Sequence, residues 1–236
     1  MIIRKPYVLS EMEKTTPEVT TFRFRAEDNS RIDFVPGMFA MLFYKNQATG
    51  EEIGRAFSIA NSPSANYLEF FIALINGRMT SKLAAAKVGD TYYVSAPYGQ
   101  FKFDQGDKKL LFLAGGTGIA PFFSMLRLTK ENKTEVDCAM IYSTKYSNDI
   151  IMKDELTSLT ESLGAKLVIT ITRPAEGEKV PYETGHVDAQ MILRHVADAK
   201  ERVSYICGPP AFVKAMKDAL ISLGAPESNI KAEMWG

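Results

Sequence analysis

Cysteine and histidine are scarce in this chain of 236 residues, which holds two of each. Two cysteines cannot supply the four thiolates of an iron–sulfur cluster, and His186 and His195 alone make a structural zinc site unexpected. Cys138 and Cys207 both lie in apolar, strand-like segments, which indicates a reducing compartment rather than a disulfide framework. The sequence therefore predicts neither a metal site nor a disulfide.

Net charge and long apolar runs are also missing. Lysine plus arginine and aspartate plus glutamate both number 28, and the net charge of zero argues against nucleic acid or a membrane surface as a general partner. No apolar run approaches the roughly 20 residues of a membrane span. The segment Met1–Pro6 lacks the apolar stretch of a secretory signal. We therefore predict a cytoplasmic protein without a membrane span.

The sequence pattern changes at the polar segment Asp104–Lys109, which predicts two domains. Residues 1–103 show short alternating runs between turn residues and predict a small antiparallel β-barrel, with one helix at Thr80–Ala86. Over residues 108–236, buried strands alternate with amphipathic helices. This second pattern predicts a Rossmann-like α/β domain with a five-stranded, mostly parallel sheet at Leu110–Ala114, Val136–Tyr142, Lys166–Thr172, Ser204–Cys207 and Asn229–Met234.

A buried strand, a tight turn and a helix start follow one another at Leu111–Pro121. The apolar run ends on Gly115, Gly116 and Gly118, and Pro121 opens an amphipathic segment. Glycine lets the backbone approach a ligand closely, and the free N–H groups at a helix start favour an anion such as a pyrophosphate. The run is not the usual G-x-G-x-x-G fingerprint. It predicts a nucleotide-binding turn, while an ordinary strand–turn–helix corner remains the alternative.

A second segment, Gly54–Pro63, carries Arg55, Phe57 and Ser58 in a strand-like run. Arginine can hold a phosphate with its forked donors, and an aromatic ring can pack along a flat ring system. Alternation along a strand would put Arg55 and Phe57 on one face and Ser58 on the other, unless the strand bends. Taken alone, the segment also fits an exposed arginine beside a core phenylalanine.

Together the two segments resemble the ferredoxin–NADP reductase superfamily of flavoproteins. In that family R-x-[YF]-S binds FAD, and G-G-[TS]-G-I-A-P binds the nicotinamide cofactor. Further segments match family motifs in the same order, and they are Phe34–Phe39, Gly77–Leu83, Ala96–Phe101, Ile206–Phe212 and Glu233–Gly236. The resemblance runs the whole chain and implies an FAD-dependent NAD(P)H oxidoreductase without a fused iron–sulfur domain.

The resemblance also implies cofactor contacts for individual residues. Phe57 would pack on the flavin ring, Ser58 would hydrogen-bond near the flavin N5 atom, and Arg55 would hold the flavin pyrophosphate. Further pyrophosphate contacts would come from Gly77, Met79, Thr80 and Ser81. The nicotinamide dinucleotide would lie against Gly116, Thr117, Gly118, Gly208 and Pro209.

Three residues near the end of the chain complete the implied site. Cys207 would lie beside the nicotinamide, and Glu233 would orient it or relay a proton, so that Ser58, Cys207 and Glu233 are the candidate catalytic residues. Trp235, the chain's single tryptophan, would stack on the flavin. The alternatives are a buried packing thiol, a solvated charge and an aromatic that closes the last strand.

The nicotinamide cofactor and the electron acceptor stay open. Arg173 at a predicted strand end could bind a 2′-phosphate and favours NADPH slightly over NADH. The resemblance implies hydride exchange between NAD(P)H and flavin, and single-electron exchange with a separate ferredoxin- or flavodoxin-like carrier. One alternative is a reductase of diffusible acceptors such as free flavin, ferric complexes or quinones. The other is a flavin relay subunit within a larger complex.

Overall fold

The computed structural model describes residues 4–47 and 49–235. Its N-terminal part is an antiparallel sheet built from β1 (Lys5–Lys14), β2 (Val19–Ala26), β3 (Phe39–Lys45), β4 (Glu52–Ser58), β5 (Leu68–Ala73) and β6 (Thr91–Tyr98). The strand order is β4-β3-β6-β1-β2-β5. One helix, α1 (Arg78–Ala84), connects β5 to β6.

The sheet curls until its two end strands meet. The ring of Phe57 on β4 lies 6.0 Å from the ring of Phe70 on β5, and the Ala60 N–H donates to the Glu69 carbonyl oxygen at 2.9 Å. The large side chains enclosed by the curl are fully buried, and they include Phe22, Phe24, Phe70 and Tyr92. Because each such burial contributes roughly 1.5–3 kcal/mol, this core stabilises the closed shape. The predicted antiparallel barrel is confirmed.

The C-terminal part alternates strands and helices around a parallel sheet. Its strands are β7 (Lys109–Gly115), β8 (Asp137–Thr144), β9 (Lys166–Ile171), β10 (Glu183–Thr184), β11 (Val203–Gly208) and β12 (Ile230–Met234). Its helices are α2 (Ala120–Glu131), α3 (Lys153–Ser162), α4 (Ala189–His195) and α5 (Pro210–Ser222). The strand order is β10-β9-β8-β7-β11-β12, and every neighbouring pair is parallel.

Side chains of β7 alternate between two hydrophobic clusters, so the sheet is covered on both faces. Phe112 packs in a cluster that includes residues of α2 and α3. Leu111 and Leu113 pack in a second cluster that includes residues of α4 and α5. The predicted Rossmann-like architecture is confirmed.

The parallel sheet has six strands instead of the predicted five. The added strand, β10, is two residues long and pairs with β9 at the sheet edge. The hydroxyl of Thr170 donates to the Gly185 carbonyl oxygen at 2.8 Å and ties the segment down. A two-residue strand is too short for any hydrophobic period, which is why the sequence pattern did not indicate it.

The two sheets share one continuous hydrophobic cluster. The ring of Phe71 on β5 lies 5.1 Å from Phe123 on α2, and the ring of Phe101 lies 6.3 Å from Phe122. Residues from both sides of the 104–107 segment therefore pack against each other. The domain boundaries at 103 and 108 stay a prediction.

None of the helices within residues 4–47 and 49–235 is long and apolar enough to cross a bilayer.

Candidate active site

A cavity of about 510 Å³ lies between the barrel and the carboxyl-terminal ends of the parallel strands. Cavities of this size are typical of small-molecule sites. Residues of both sheets line it, among them Phe39, Met41, Arg55, Phe57, Ser58, Phe71, Ile75, Thr80, Thr117, Glu233, Met234 and Trp235. The fold thus brings the R-x-F-S segment and the end of the chain to one place.

Strand β4 forms the barrel side of the cavity. It pairs along its length only with β3, and its other edge adjoins β5 without a strand pairing. Arg55, Phe57 and Ser58 all line the cavity. Strand alternation therefore did not separate Ser58 from the other two, because the cavity contacts consecutive residues of β4.

Arg55 is exposed and has no hydrogen-bond or ion-pair partner among the described residues. By contrast, Arg4, Arg23 and Arg78 in the same barrel each pair with a glutamate. A guanidinium with all its donors free, at the edge of a cavity, is suited to an anion such as a phosphate. The half-buried ring of Phe57, held by Phe70, offers an apolar surface close by.

The Gly77–Ser81 segment forms the start of α1, two residues earlier than the predicted helix. Gly77 is the residue before the first turn, and its N–H donates to the Thr80 hydroxyl at 3.1 Å, which fixes the helix start there. Thr80 lines the cavity. Met79 is buried in the barrel core, and Ser81 is exposed. Of the four predicted pyrophosphate contacts, only Thr80 is in the cavity wall.

The glycine turn follows β7 as a single 3-10 turn, Gly116–Ile119, before α2. Gly116 has φ +55°, and a Cβ there would meet nothing within 4 Å, so its surface is open. Gly118 faces the opposite way, since a Cβ there would lie 2.3 Å from the Cys207 carbonyl oxygen. Thr117, between them, lines the cavity. Glycine is therefore required at 118 by close backbone approach and at 116 by backbone conformation.

Cys207 and Glu233 lie opposite each other on the neighbouring strands β11 and β12. Cys207 is fully buried, and burial, together with the nearby charge of Glu233, raises the pKa of its thiol. The thiol is therefore neutral at physiological pH. Gly208 and Pro209 follow at the strand end, where α5 begins. These positions place Cys207 behind the cavity wall rather than in it.

Glu233 lines the cavity with a carboxylate that has lost part of its hydration. Its Oε2 atom is buried and has no hydrogen-bond partner among the described residues. Burial raises the pKa of Glu233 to about 7, because desolvation disfavours the charged form. The group can therefore hold or release a proton near neutral pH.

Trp235 lines the cavity and is 40% exposed, and its backbone N–H donates to the Gly208 carbonyl oxygen at 3.3 Å. Arg173 lies apart from this group. It follows β9 as an exposed residue, and its backbone N–H donates to the Lys145 carbonyl oxygen at 2.8 Å. The structure thus places Arg173 at the predicted strand end and outside the cavity lining.

Several cavity residues were not assigned a role from the sequence, among them Phe39, Met41, Phe71 and Ile75. Phe39 ends the recognised Phe34–Phe39 motif, and that position was the available signal. The other three are apolar residues of β3, β5 and the loop after β5, and nothing in the sequence distinguishes them from core residues.

The residues present fit both a flavin dinucleotide and a nicotinamide dinucleotide. The cavity offers an unpaired guanidinium, an aromatic surface, an open glycine turn at the end of a parallel strand and an orphaned carboxylate oxygen. Within residues 4–47 and 49–235 no cluster of three or more metal-ligating side chains occurs.

Two family models match the chain. The oxidoreductase FAD-binding domain matches residues 6–103, and the oxidoreductase NAD-binding domain matches residues 112–218. The chain is 32% identical over 228 residues to the glycine betaine monooxygenase reductase subunit of Chromohalobacter salexigens, covering 94% of this chain and 61% of that protein. It is 25% identical over 238 residues to the flavohemoprotein of Bacillus subtilis, covering 98% of this chain and 59% of that protein. The chain thus spans about 60% of the length of these relatives.

A solved structure shows the same fold. The ferredoxin NADP+ reductase from Neisseria gonorrhoeae, determined with bound FAD and NADP, has a TM-score of 0.81 and 24% sequence identity, with 98% of each chain covered. The family matches follow one another in the order that the barrel and the parallel sheet take in this structure. The chain belongs to the ferredoxin–NADP reductase superfamily, with an FAD-binding and an NAD-binding oxidoreductase domain.

Proposed function

We propose that this protein exchanges a hydride between NAD(P)H and FAD and passes single electrons to or from a separate ferredoxin- or flavodoxin-like carrier. The observation that carries the proposal is the meeting of Arg55, Phe57 and Ser58 with Glu233 and Trp235 around one cavity. FAD, when bound, supplies the chemistry that converts a two-electron donor into one-electron steps.

The residues of this chain bind and orient the reactants. Arg55, with Thr80 nearby, holds the flavin phosphates, and Phe57 gives the flavin ring an apolar surface. Gly116, Thr117 and Gly118 receive the nicotinamide dinucleotide at the carboxyl end of β7, where ligands of parallel sheets bind. This arrangement fixes donor and acceptor in one orientation, which lowers the entropic part of the barrier.

Three further residues control protons and water. Glu233 holds a proton at a carboxyl group whose pKa is about 7. The Cys207 thiol, buried behind the cavity wall, stays neutral and adds no charge near the reacting ring. Trp235, a cavity-lining aromatic at the end of β12, keeps water from the open side of the site until the nicotinamide displaces it.

The names of relatives support a partner protein as the acceptor. One relative is the reductase subunit of glycine betaine monooxygenase, and another, 28% identical over 218 residues, is the electron transfer component of 2-halobenzoate 1,2-dioxygenase from Burkholderia cepacia. For those proteins the names describe electron supply to a separate component. We place the reaction of this chain in the cytoplasm, since its two cysteines are free and buried.

Anaerobic reduction tests the proposal. The purified holoprotein should be yellow, and NADPH or NADH should bleach it. Re-oxidation should then be faster with a ferredoxin or a flavodoxin than with free flavin, a ferric chelate or a quinone at equal concentration. Faster re-oxidation by the small molecules would contradict a carrier protein as the acceptor and favour a diffusible acceptor. Failure of both nicotinamides to bleach the bound flavin would contradict the proposal and leave a relay subunit.

A further inference from the structure

Helix α2 is bound to the barrel by three polar side chains on one of its faces. Ser124, Arg127 and Glu131 are three and four positions apart and therefore project from the same side. All three contact the barrel segment 60–64, which begins two positions after Ser58. We call these three residues and their barrel partners the α2 bridge.

Ser124 and Arg127 each donate a hydrogen bond to a main-chain carbonyl oxygen of the barrel. The buried hydroxyl of Ser124 donates to the Asn61 carbonyl oxygen at 2.7 Å. The Nη1 atom of Arg127 donates to the Ala60 carbonyl oxygen at 2.9 Å. Such contacts fix the backbone that leads directly out of the Arg55–Ser58 segment.

Arg127 also joins a carboxylate of the barrel to a carboxylate of the parallel-sheet half. It pairs with Glu69 of β5, whose side chain is fully buried, and it forms a two-bond fork with Glu155 of α3 at 2.8 Å each. Glu69 pairs in turn with Arg23 of β2. Because Glu69 has no access to water, its charge is balanced only while the arginines of both halves stay in place.

The two ends of the bridge adjoin the two cofactor segments. Ala60 follows Ser58 closely along the chain, and α2 begins directly after the Gly116–Ile119 turn. Any shift of α2 relative to the 60–64 segment therefore moves the nicotinamide turn relative to the flavin strand. A displacement of about 1 Å between reacting groups can cost on the order of 100-fold in rate.

We infer that Arg127 is a positioning residue that sets the separation of the flavin and nicotinamide sites through the α2 bridge. The inference rests on the proposed function for its catalytic consequence. Its structural consequence is a fixed geometry between the two sheets, and this consequence is independent of the proposed function.

Arg202 supplies a matched control. Arg202 is buried, donates to the carbonyl oxygens of Leu110 and Asp137, and forms forked pairs with the carboxylates of Asp137 and Asp198. All of these partners belong to the parallel-sheet half. Arg127→Lys and Arg202→Lys remove the same forked geometry, but only the first removes it between the halves.

Stopped-flow reduction of the FAD-loaded variants by NADPH or NADH separates rate from binding. Arg127→Lys should lower the limiting reduction rate about tenfold while nicotinamide affinity changes by less than roughly twofold and FAD content stays that of the parent. Arg202→Lys should keep the parent's limiting rate, even if its melting temperature falls by as much as that of Arg127→Lys. Equal limiting rates in the parent and Arg127→Lys would overturn the inference.

A distance measurement tests the geometry without turnover. Lys87→Cys in the barrel and Ala215→Cys on α5 are exposed, whereas both native cysteines are buried, so spin labels would react only at the new sites. The inter-label distance distribution should shift or broaden with Arg127→Lys and not with Arg202→Lys. Unchanged distributions in both would overturn the inference, whereas an unreduced parent protein would contradict only the proposed function.

A milder pair covers the case in which Arg127→Lys does not fold. Ser124→Ala removes one hydrogen bond to the barrel and leaves no buried charge. Thr129→Val removes a buried hydroxyl of the same helix that bonds only to Met125 within α2. The first should slow reduction and broaden the distance distribution, and the second should do neither. The same result for both variants would mean that the bridge does not position the sites.

Discussion

Cys207 and Glu233 occupy opposite positions on β11 and β12, and the charge of Glu233 raises the pKa of the Cys207 thiol. Burial raises the pKa of both groups, and the carboxylate raises the thiol's further. A neutral thiol therefore lies behind a carboxyl group that titrates near neutral pH.

Replacing Cys207 by alanine should slow flavin reduction about tenfold, which corresponds to about 1.4 kcal/mol of transition-state stabilisation. The main chain of Cys207 lies against the Gly118 turn, so a change at Cys207 should affect the reacting geometry more than it affects FAD affinity. Stopped-flow reduction at saturating nicotinamide measures this rate. Cys138→Ala removes the other buried thiol, and it should leave the rate unchanged. An unchanged rate in Cys207→Ala would make Cys207 a packing residue.

Glu233 should make stability fall as pH rises between about 4.5 and 7. The pKa in the folded state is about 7 against 4.5 for the free group, so within this window the folded state binds more protons than the unfolded state. The contribution is full below pH 4.5 and lost above pH 7. In thermal melts across this pH range, the melting temperature of Glu233→Gln should therefore decline less steeply with pH than that of the parent. Glu227→Gln, on the surface, should follow the parent, and a parallel decline in Glu233→Gln would contradict the prediction.

Trp235 should cover the flavin and compete with the nicotinamide. Because it is the single tryptophan, removal of FAD should increase the protein's tryptophan fluorescence. Trp235→Ser should tighten binding of oxidised nicotinamide by about 1 kcal/mol, or roughly fivefold, the scale of one aromatic stack. Difference spectra during titration measure this affinity. Tyr93→Ser, at an exposed aromatic outside the cavity, should not alter it, and parent-like affinity in Trp235→Ser would leave Trp235 a strand-end packing residue.

Loss of Arg55 should release FAD. Its guanidinium is the unpaired cation at the cavity, and Arg55→Ala removes its charge-assisted bonds to phosphate without breaking any contact inside the protein. Gel filtration followed by the ratio of flavin to protein absorbance measures retention. Arg25→Ala, at a residue of β2 that is bonded to Asn66 and lies outside the cavity lining, should retain flavin. Full retention of FAD by Arg55→Ala would show that Arg55 does not hold the flavin.

Alanine at Gly118 should weaken both folding and nicotinamide binding. The added Cβ would lie 2.3 Å from the Cys207 carbonyl oxygen and 2.8 Å from the Gly208 Cα, and overpacking of this kind costs about 1–3 kcal/mol. Gly116→Ala meets no atom within 4 Å and should cost only the backbone strain of positive φ, about 1 kcal/mol. Chemical denaturation compares the two variants, and a larger loss at Gly116 would contradict the assigned packing.

The sequence alone was sufficient for the architecture and for the local motifs. Alternation predicted the barrel strands, and strand–helix periodicity predicted the parallel sheet and four of its helices, because both depend on neighbours along the chain. The glycine turn and the R-x-F-S run were recognisable for the same reason. The short strand β10 and the unpaired edge of β4 were not recognisable from the sequence, since sheet edges are set by which strands pair.

The tertiary structure decided which residues share the site and which hold it in place. Arg55 and Trp235 meet at one cavity, Cys207 lies behind its wall, and Arg127 reaches Glu69 across the two sheets. The pKa of Glu233 is likewise a property of its surroundings. Local propensity specifies strands and helices, whereas burial, desolvation and long-range ion pairs exist only once distant segments pack, so no local pattern in the sequence encodes them.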